Sequence, residues 1–489
     1  MNLNEIISIL PFYEAMYLVK DVSINEIKMD SREVNQGDLF ICINGYTVDG
    51  HDYIDQAVAN GAVAIIAEKV IHTNVSTIIV PDTLRALAMI ATHFYNYPTA
   101  KIPLIGITGT NGKTTITYLI ESILNEFNRK TGVIGTIQMK IGDHLFPVQN
   151  TTPDSLFLQK SFHEMVECNV DTAIMEVSSH ALDMGRVYGC DFDIAVFSNL
   201  SQDHLDYHHD MDDYLRAKSL LFAQLGNTFK KTHQKFAVIN VDDPRHDIIE
   251  RSTAQHIITY SCKTNAAVTA TNIQLAANKT KFKLNTPLGE IMINSKLIGM
   301  FNVYNMLAAV GAALALRIPL LTIKAALEKI TGISGRFEPI DGNQSFTTIV
   351  DYAHTPDSLE NVLQVIKDFA KKNIFVVVGC GGDRDKTKRP QMGAIALKYA
   401  DKVIFTSDNP RTEDPQAILE DMVHGQIESH YEIIEDRKQA IYHAINLASD
   451  HDIVLIAGKG HETYQLIGHT KYNFDDREIA KNAILSKEK

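Results

Sequence analysis

Leu104-Ile-Gly-Ile-Thr-Gly-Thr-Asn-Gly-Lys-Thr-Thr115 reads as an apolar strand, a glycine-rich turn and the start of a helix. In that order the three make a phosphate cradle. Gly109 and Gly112 let backbone N–H groups turn toward phosphate oxygens, Lys113 neutralises the β and γ phosphates, and the Thr114 hydroxyl is a Mg²⁺ ligand by type. Thr110, Asn111 and Thr115 complete the expected ATP loop. The spacing departs from GxxxxGKT, because position 107 is Ile107 and the nearby Gly106 lies one residue earlier. The loop alone does not separate a ligase from a switch GTPase or a motor.

On either side of the loop, apolar runs alternate with helical patterns. Ile102–Ile107, Asp171–Val177, Asp191–Phe197 and Lys235–Asn240 read as strands, with helices near Thr114–Phe127 and Tyr214–Leu225. That alternation predicts a parallel sheet covered by helices. Before it, short β-like runs (Asp38–Ile43, Ala62–Ala67, Thr77–Val80) and a helical stretch, Thr83–Tyr95, end at Tyr97-Pro-Thr-Ala-Lys-Ile-Pro103, read as a linker. After it, a β-rich stretch at about 255–298 and a helix over Asn302–Leu316 lead to a second α/β series. Its strands are Thr347–Asp351, Ile374–Gly379, Lys402–Thr406 and Asp452–Ala457, the pattern of a doubly wound domain. The expected architecture is α/β with three domains: an N-terminal α/β domain over 1–100, a central P-loop parallel-sheet domain over 101–333, and a Rossmann-like doubly wound domain over 334–489. A chain of 489 residues is long enough for each to bury its own core.

The net charge of −13 argues against a nucleic-acid partner. The longest apolar run, Met306–Leu316, is too short to cross a bilayer, so no membrane partner is expected. The N-terminal residues lack a basic stretch and apolar core, which places the expected location in the cytoplasm. Cys42, Cys168, Cys190, Cys262 and Cys380 form no CxxC pair and are assigned no role.

Gly-Thr-Asn-Gly-Lys-Thr, taken with blocks from Asp30-Ser-Arg32 to Asp475-Asp-Arg477, resembles the Mur ligase superfamily, and within it the ligases acting on UDP-N-acetylmuramoyl-L-alanyl-D-glutamate. The resemblance spans essentially the whole chain and implies ATP and Mg²⁺ as cofactors, small-molecule substrates and a monomer. Glu176, at the end of an apolar strand, and His204, in Ser198-Asn-Leu-Ser-Gln-Asp-His204, match metal-binding positions. Lys218 matches a lysine carried as N6-carboxylysine, so Thr114, Glu176, His204 and carbamylated Lys218 are the implied metal set, with Lys113, Glu176, His204 and Lys218 catalytic. Asn302, Arg336, Asp351 and His354 match blocks that enclose ATP between two domains, which implies open and closed forms. Ser31, Thr151, Thr152, Ser178 and Arg186 match contacts to the UDP-muramoyl-peptide, with the loop Asn44–Val48 beside the uridine site. Where some relatives carry glutamine two residues before that arginine, this chain has Met184.

The amino acid added is implied by Asp408-Asn-Pro-Arg411, which marks diaminopimelate-adding relatives. The far carboxylate of meso-diaminopimelate, absent from lysine, suits a bidentate guanidinium such as Arg411. Arg384, Asp408, Asn409, Pro410, Gly458 and Glu462 match the rest of that pocket, Glu462 being suited to an ammonium group. The alternatives are a lysine-adding ligase, a folylpolyglutamate synthetase, which needs neither Asp30-Ser-Arg32 nor Asp408–Arg411, and a switch or transport ATPase that hydrolyses without an acceptor.

Overall fold

Every residue of Leu104–Thr108, Thr131–Ile134, Thr172–Glu176 and Ile194–Phe197 is buried. Strands read as unbroken apolar runs because parallel sheets are covered on both faces. The computed structural model describes the chain except residues 17–21, 46–47, 149, 230–233, 277–278, 427–429 and 488–489, so part of the Asn44–Val48 loop lies outside the described residues. Two compact units emerge, 1–106 with 129–193, and 107–128 with 194–489, the chain passing between them inside the strand Leu104–Thr108.

The first unit holds a five-stranded sheet in the order Glu14–Met16, Ser76–Ile79, Ala64–Ala67, Leu39–Ile41, Ile27–Lys28. All its pairs are parallel except the first. The same unit carries the parallel pair Thr131–Ile134 and Thr172–Glu176, extended by the antiparallel strands Met139–Ile141 and His144–Phe146. Its two longest helices start at aspartate caps: Asp82 accepts from Arg85 N ahead of Thr83–Phe94, and Asp154 from Phe157 N ahead of Ser155–Glu167.

In the second unit, Ile194–Phe197, Phe236–Asn240, His256–Ser261 and Val268–Ala276 pair in parallel, and Lys279–Thr286 and Gly289–Ser295 continue antiparallel. The helix Lys113–Glu126 packs beside Met300–Ala315. Residues 335–489 form a six-stranded sheet in the order Glu338–Ile340, Thr347–Asp351, Ile453–Ala457, Ile374–Val378, Lys402–Phe405, Tyr431–Ile433, with only the first pair antiparallel. One face is covered by Leu359, Leu363, Met392 and Leu419, the other by Ala440, Ile441, Ile445 and Ile484. This is the doubly wound arrangement expected. Its strand order separates Thr347–Asp351 from Ile374–Val378 by Ile453–Ala457, a switch point at whose carboxyl ends ligands bind. A hairpin, Tyr464–Ile467 with Thr470–Asn473, lies outside this sheet.

Candidate active site

The glycines of the phosphate loop are required by space as well as by conformation. Gly109 and Gly112 have φ of +143° and +89°. A Cβ on Gly109 would lie 1.9 Å from Ser198 Oγ, and one on Gly112 would lie 2.4 Å from Asn305 Oδ1. Lys113 Nζ donates to Gly109 O and Thr110 O, both at 2.9 Å, so the ammonium lies over the loop. Thr114 Oγ1 accepts from Arg336 Nη2 at 3.0 Å, and Asn111 Nδ2 donates to Asp357 Oδ2 at 2.8 Å. The C-terminal segment thus already touches the loop.

Beside the loop lies a cavity of about 380 Å³ whose walls include Gly112, Thr115, Asn302, Arg336, Asp351 and His354. Arg336 stacks on the Tyr352 ring, 4.4 Å from its centroid. Asp351 accepts from Phe337 N at 2.6 Å and Ala353 N at 2.7 Å, which orients the strand end. Burial raises its carboxyl above the usual range, with Arg336 and those N–H groups opposing. Burial pushes His354 down to about 4, against the pull of Asp203, so the imidazole is neutral at pH 7.

Buried Asp203 gathers three cations or potential cations: His204 Nε2 at 3.4 Å, Lys388 Nζ at 3.6 Å and His354 Nε2 at 3.9 Å. Burial works to raise its carboxyl, but His204, Lys388 and His354 outweigh it and hold the group well below the usual range. Lys218 is buried on the helix Met211–Ala223, its Nζ 4.2 Å from the Tyr214 ring centroid. Burial, and then the Lys113 charge, push its ammonium well below the lysine range despite Asp203. A neutral buried amine is the form that reacts with CO₂.

The loops that carry Arg384, Arg411 and Glu462 follow the carboxyl ends of Ile374–Val378, Lys402–Phe405 and Ile453–Ala457. Arg411 has a left-handed backbone, φ +52°, and its Nη1 donates to Gly382 O at 2.6 Å. Its guanidinium and Arg384 both flank Gly381. Burial, and then Arg384, lower the Arg411 pKa, with Asp408 and Glu462 opposing. Two neighbouring guanidiniums favour an anion between them. Asn409 Nδ2 donates to Glu462 Oε2 at 2.9 Å, and Pro410 packs against Gly382, where a Cβ would meet Pro410 O at 1.9 Å. Gly458 has φ +116°, and a Cβ there would crowd Asp408 Oδ2 at 2.7 Å.

In the first unit a cleft of about 940 Å³ is lined by Ser31, Asp30, Arg32, Asn150 and Asp154 among others. Ser31 Oγ donates to Gln56 Oε1 at 2.8 Å. The remaining residues expected to contact the precursor cluster around buried Glu176. Its carboxylate accepts from Thr136 N and Thr136 Oγ1, both at 2.9 Å, and Thr151 Oγ1 lies 3.1 Å from Thr136 Oγ1. Thr152 Oγ1 donates to Glu176 O at 2.9 Å and accepts from Ser178 N. Arg186 Nη1 reaches Thr152 O at 3.2 Å. Met184 takes up the position where some relatives carry glutamine: its sulfur accepts from Arg186 Nη2 at 3.4 Å, so the arginine keeps a partner there.

Family models match in sequence along the chain: Mur ligase family, catalytic domain, over 23–95; Mur ligase middle domain over 107–313; and Mur ligase, glutamate ligase domain, over 335–460. A protein of Oceanobacillus iheyensis named UDP-N-acetylmuramoyl-L-alanyl-D-glutamate--2,6-diaminopimelate ligase is 60% identical over the full length of both chains. The chain belongs to the Mur ligase family. A solved structure of a UDP-N-acetylmuramoyl-L-alanyl-D-glutamate--2,6-diaminopimelate ligase, 35% identical, superposes over the whole of both chains with a TM-score of 0.70. A MurF ligase of Thermotoga maritima solved with ADP, 18% identical, covers 96% of this chain and 98% of its own with a TM-score of 0.65, which speaks for the fold alone.

Within this Mur ligase, sequence reasoning missed Asp203, Asp357, Lys388 and Lys459. Asp203 sits one residue before His204, inside the block Ser198–His204, and Lys459 one after Gly458. Nothing local in the sequence marks either as buried among charges.

Proposed function

We propose that this chain joins meso-2,6-diaminopimelate to UDP-N-acetylmuramoyl-L-alanyl-D-glutamate, with cleavage of ATP to ADP and phosphate, as a cytoplasmic monomer in peptidoglycan precursor synthesis. The domain limits 1–100, 101–333 and 334–489 belong to the same reading. The observation that carries the choice of amino acid is the Arg384–Arg411 pair beside Glu462 and Asn409. A carboxylate fits between the guanidiniums and an ammonium fits Glu462, the two groups carried by the far end of diaminopimelate. Lysine offers only the ammonium.

The D-glutamyl γ-carboxylate attacks the γ-phosphorus, ADP leaves, and an acyl phosphate forms. The diaminopimelate amine then attacks the acyl carbon, and the tetrahedral intermediate expels phosphate to leave the amide. Lys113 neutralises the transferring phosphoryl group, and the Gly109–Thr115 backbone holds the phosphates in line. Asn302, Arg336, Asp351 and His354 enclose the nucleotide, and the contacts Arg336–Thr114 and Asp357–Asn111 support a closure that keeps water from the acyl phosphate. Ser31, Thr151, Thr152, Ser178 and Arg186 hold the precursor.

Mg²⁺, when bound, offsets the charge of the crowded phosphate oxygens. Thr114, Glu176, His204 and Lys218 as its N6-carboxylate are the proposed ligands. Among the described residues no three His, Cys, Asp or Glu side chains form a ready-made metal cage. Mg²⁺ takes few protein ligands and completes its shell with phosphate and water. Carbamylation follows the balance Lys–NH₂ + CO₂ → Lys–NH–COO⁻ + H⁺, and the burial of Lys218, which disfavours its ammonium, favours the free base that this step consumes. Protein depleted of CO₂, or held at mildly acidic pH and returned to pH 7.5 without bicarbonate, is expected to lose most activity and regain it on adding bicarbonate. Activity indifferent to CO₂, together with no 44 Da adduct on Lys218 by mass spectrometry, would remove the carbamate from the reading.

The deciding assay follows phosphate release with ATP and the UDP-dipeptide, comparing diaminopimelate with L-lysine. Release is expected with diaminopimelate alone. Arg411→Ala should cost about 10- to 150-fold in kcat/KM for diaminopimelate, the loss of one charge-assisted hydrogen bond at roughly 1.5–3 kcal/mol. Preference for lysine would overturn the acceptor assignment, and release independent of any acceptor would overturn the ligase reading.

A further inference from the structure

Lys459 is fully buried, with no exposed side-chain surface. Its Nζ donates to Asn409 Oδ1 at 2.9 Å and to Glu462 Oε2 at 2.8 Å. Asn409 Oδ1 also accepts from Leu466 N at 2.9 Å, in the hairpin Tyr464–Asn473. With two donors on its oxygen, the Asn409 amide has one satisfactory orientation, which turns Nδ2 onto Glu462 Oε2 at 2.9 Å. Glu462 Oε2 therefore carries two donors, and Oε1 has no hydrogen bond among the described residues. The same hairpin grips the arginine: Arg411 N donates to Leu466 O at 3.0 Å, and Gly468 N donates to Arg411 O at 2.6 Å. Those two bonds hold Arg411 in a backbone region that costs a non-glycine residue energy.

From this geometry we infer that Lys459 is a positioning residue for the acceptor amino acid: it ties the loop bearing Asn409 and Arg411, the loop bearing Glu462 and the Tyr464–Asn473 hairpin into one pocket, and presents Glu462 Oε1 to the substrate ammonium. The inference rests on the acceptor reading above. Lys459 is placed to act through the groups it orients, as outer-shell partners do when they fix the direction of a binding residue. It also sets the charge of the pocket. Burial raises the Asp408 carboxyl, but Lys459 and then Arg437 outweigh it and keep the group ionised. Without Lys459, Glu462 would have no cation bonded to it.

The test is steady-state kinetics of the full chain with each substrate varied in turn. Lys459→Met should raise KM for diaminopimelate about 10- to 100-fold, while KM for ATP and for the UDP-dipeptide moves less than about twofold. Because Lys459→Met leaves a carboxylate without its partner, Lys459→Met/Glu462→Gln is measured beside each single variant. The loss in the double variant should fall short of the product of the two single losses, since part of the effect of Lys459 passes through Glu462. Additive losses, or an equal rise in KM for all three substrates, would overturn the inference while leaving the acceptor assignment intact. Unchanged parent activity with lysine and none with diaminopimelate would overturn both.

Discussion

Lys113→Met is expected to lower kcat about 10³-fold, a loss of roughly 4 kcal/mol of transition-state stabilisation. The side chain is aimed by the loop itself, its Nζ held by Gly109 O and Thr110 O at 2.9 Å. Phosphoryl transfer gives the protein little to do except position groups and neutralise charge on the three equatorial oxygens. Methionine keeps the length and apolar stem of the lysine and removes only the charge. Arginine should not rescue, because its planar fork cannot place one point charge over the loop, where a Cβ on Gly109 would already collide with Ser198. The check is ADP release at saturating substrates, with unfolding followed in parallel. A fall in kcat under about tenfold would mean that the loop backbone and the metal carry the phosphoryl charge without Lys113.

The parts of this molecule legible from sequence are those whose physics is local. Thr347–Asp351 is a strand with both ends where expected, because its β-branched run Thr-Thr-Ile-Val, closed by an aspartate, suits a buried strand better than a helix. The phosphate loop was legible because glycine, lysine and threonine act through their own backbone and side chains at fixed spacing. The hairpin Tyr464–Asn473 was not: its second strand is exposed throughout and its first is at most half-buried, so neither shows the alternation that burial imposes. The strand His144–Phe146 was missed for the same reason, being exposed at all three positions. The helix Leu3–Ile7 is too short to show a period. Among site residues, Asp357 was missed because its partner Asn111 lies 246 positions away. Lys459 became visible only when its bond to Asn409, whose Oδ1 also accepts from Leu466 N, brought three separate segments together.

Asp476→Ala is expected to destabilise the C-terminal segment by about 3–5 kcal/mol, the cost of leaving a buried charge without its partner. Arg437 Nε and Nη2 donate to the two Asp476 oxygens at 2.8 and 2.7 Å, and Nη2 also donates to Ala457 O at 2.9 Å. Neither side chain has any exposed surface. The pair joins the first turns of the helices Arg437–Leu447 and Asp476–Lys487 to the end of the strand Ile453–Ala457. The next residue on that strand is Gly458, which opens the loop carrying Lys459 and Glu462. Removing the carboxylate leaves the guanidinium in a site that water does not reach, and the strand end must open to solvate it. A midpoint lower by on the order of 10 °C follows for a segment of this size. The acceptor loop should loosen with it, so KM for diaminopimelate should rise before ATP binding is affected. Arg437→Met/Asp476→Leu separates the causes. It removes both charges and keeps most of the volume, so stability should return to within about 1–2 kcal/mol of the parent. Thermal and urea unfolding of the three proteins decide it. If Asp476→Ala cost less than about 1 kcal/mol, the pair would be reached by solvent in the folded chain and could not be what fixes the end of Ile453–Ala457 beneath the acceptor pocket.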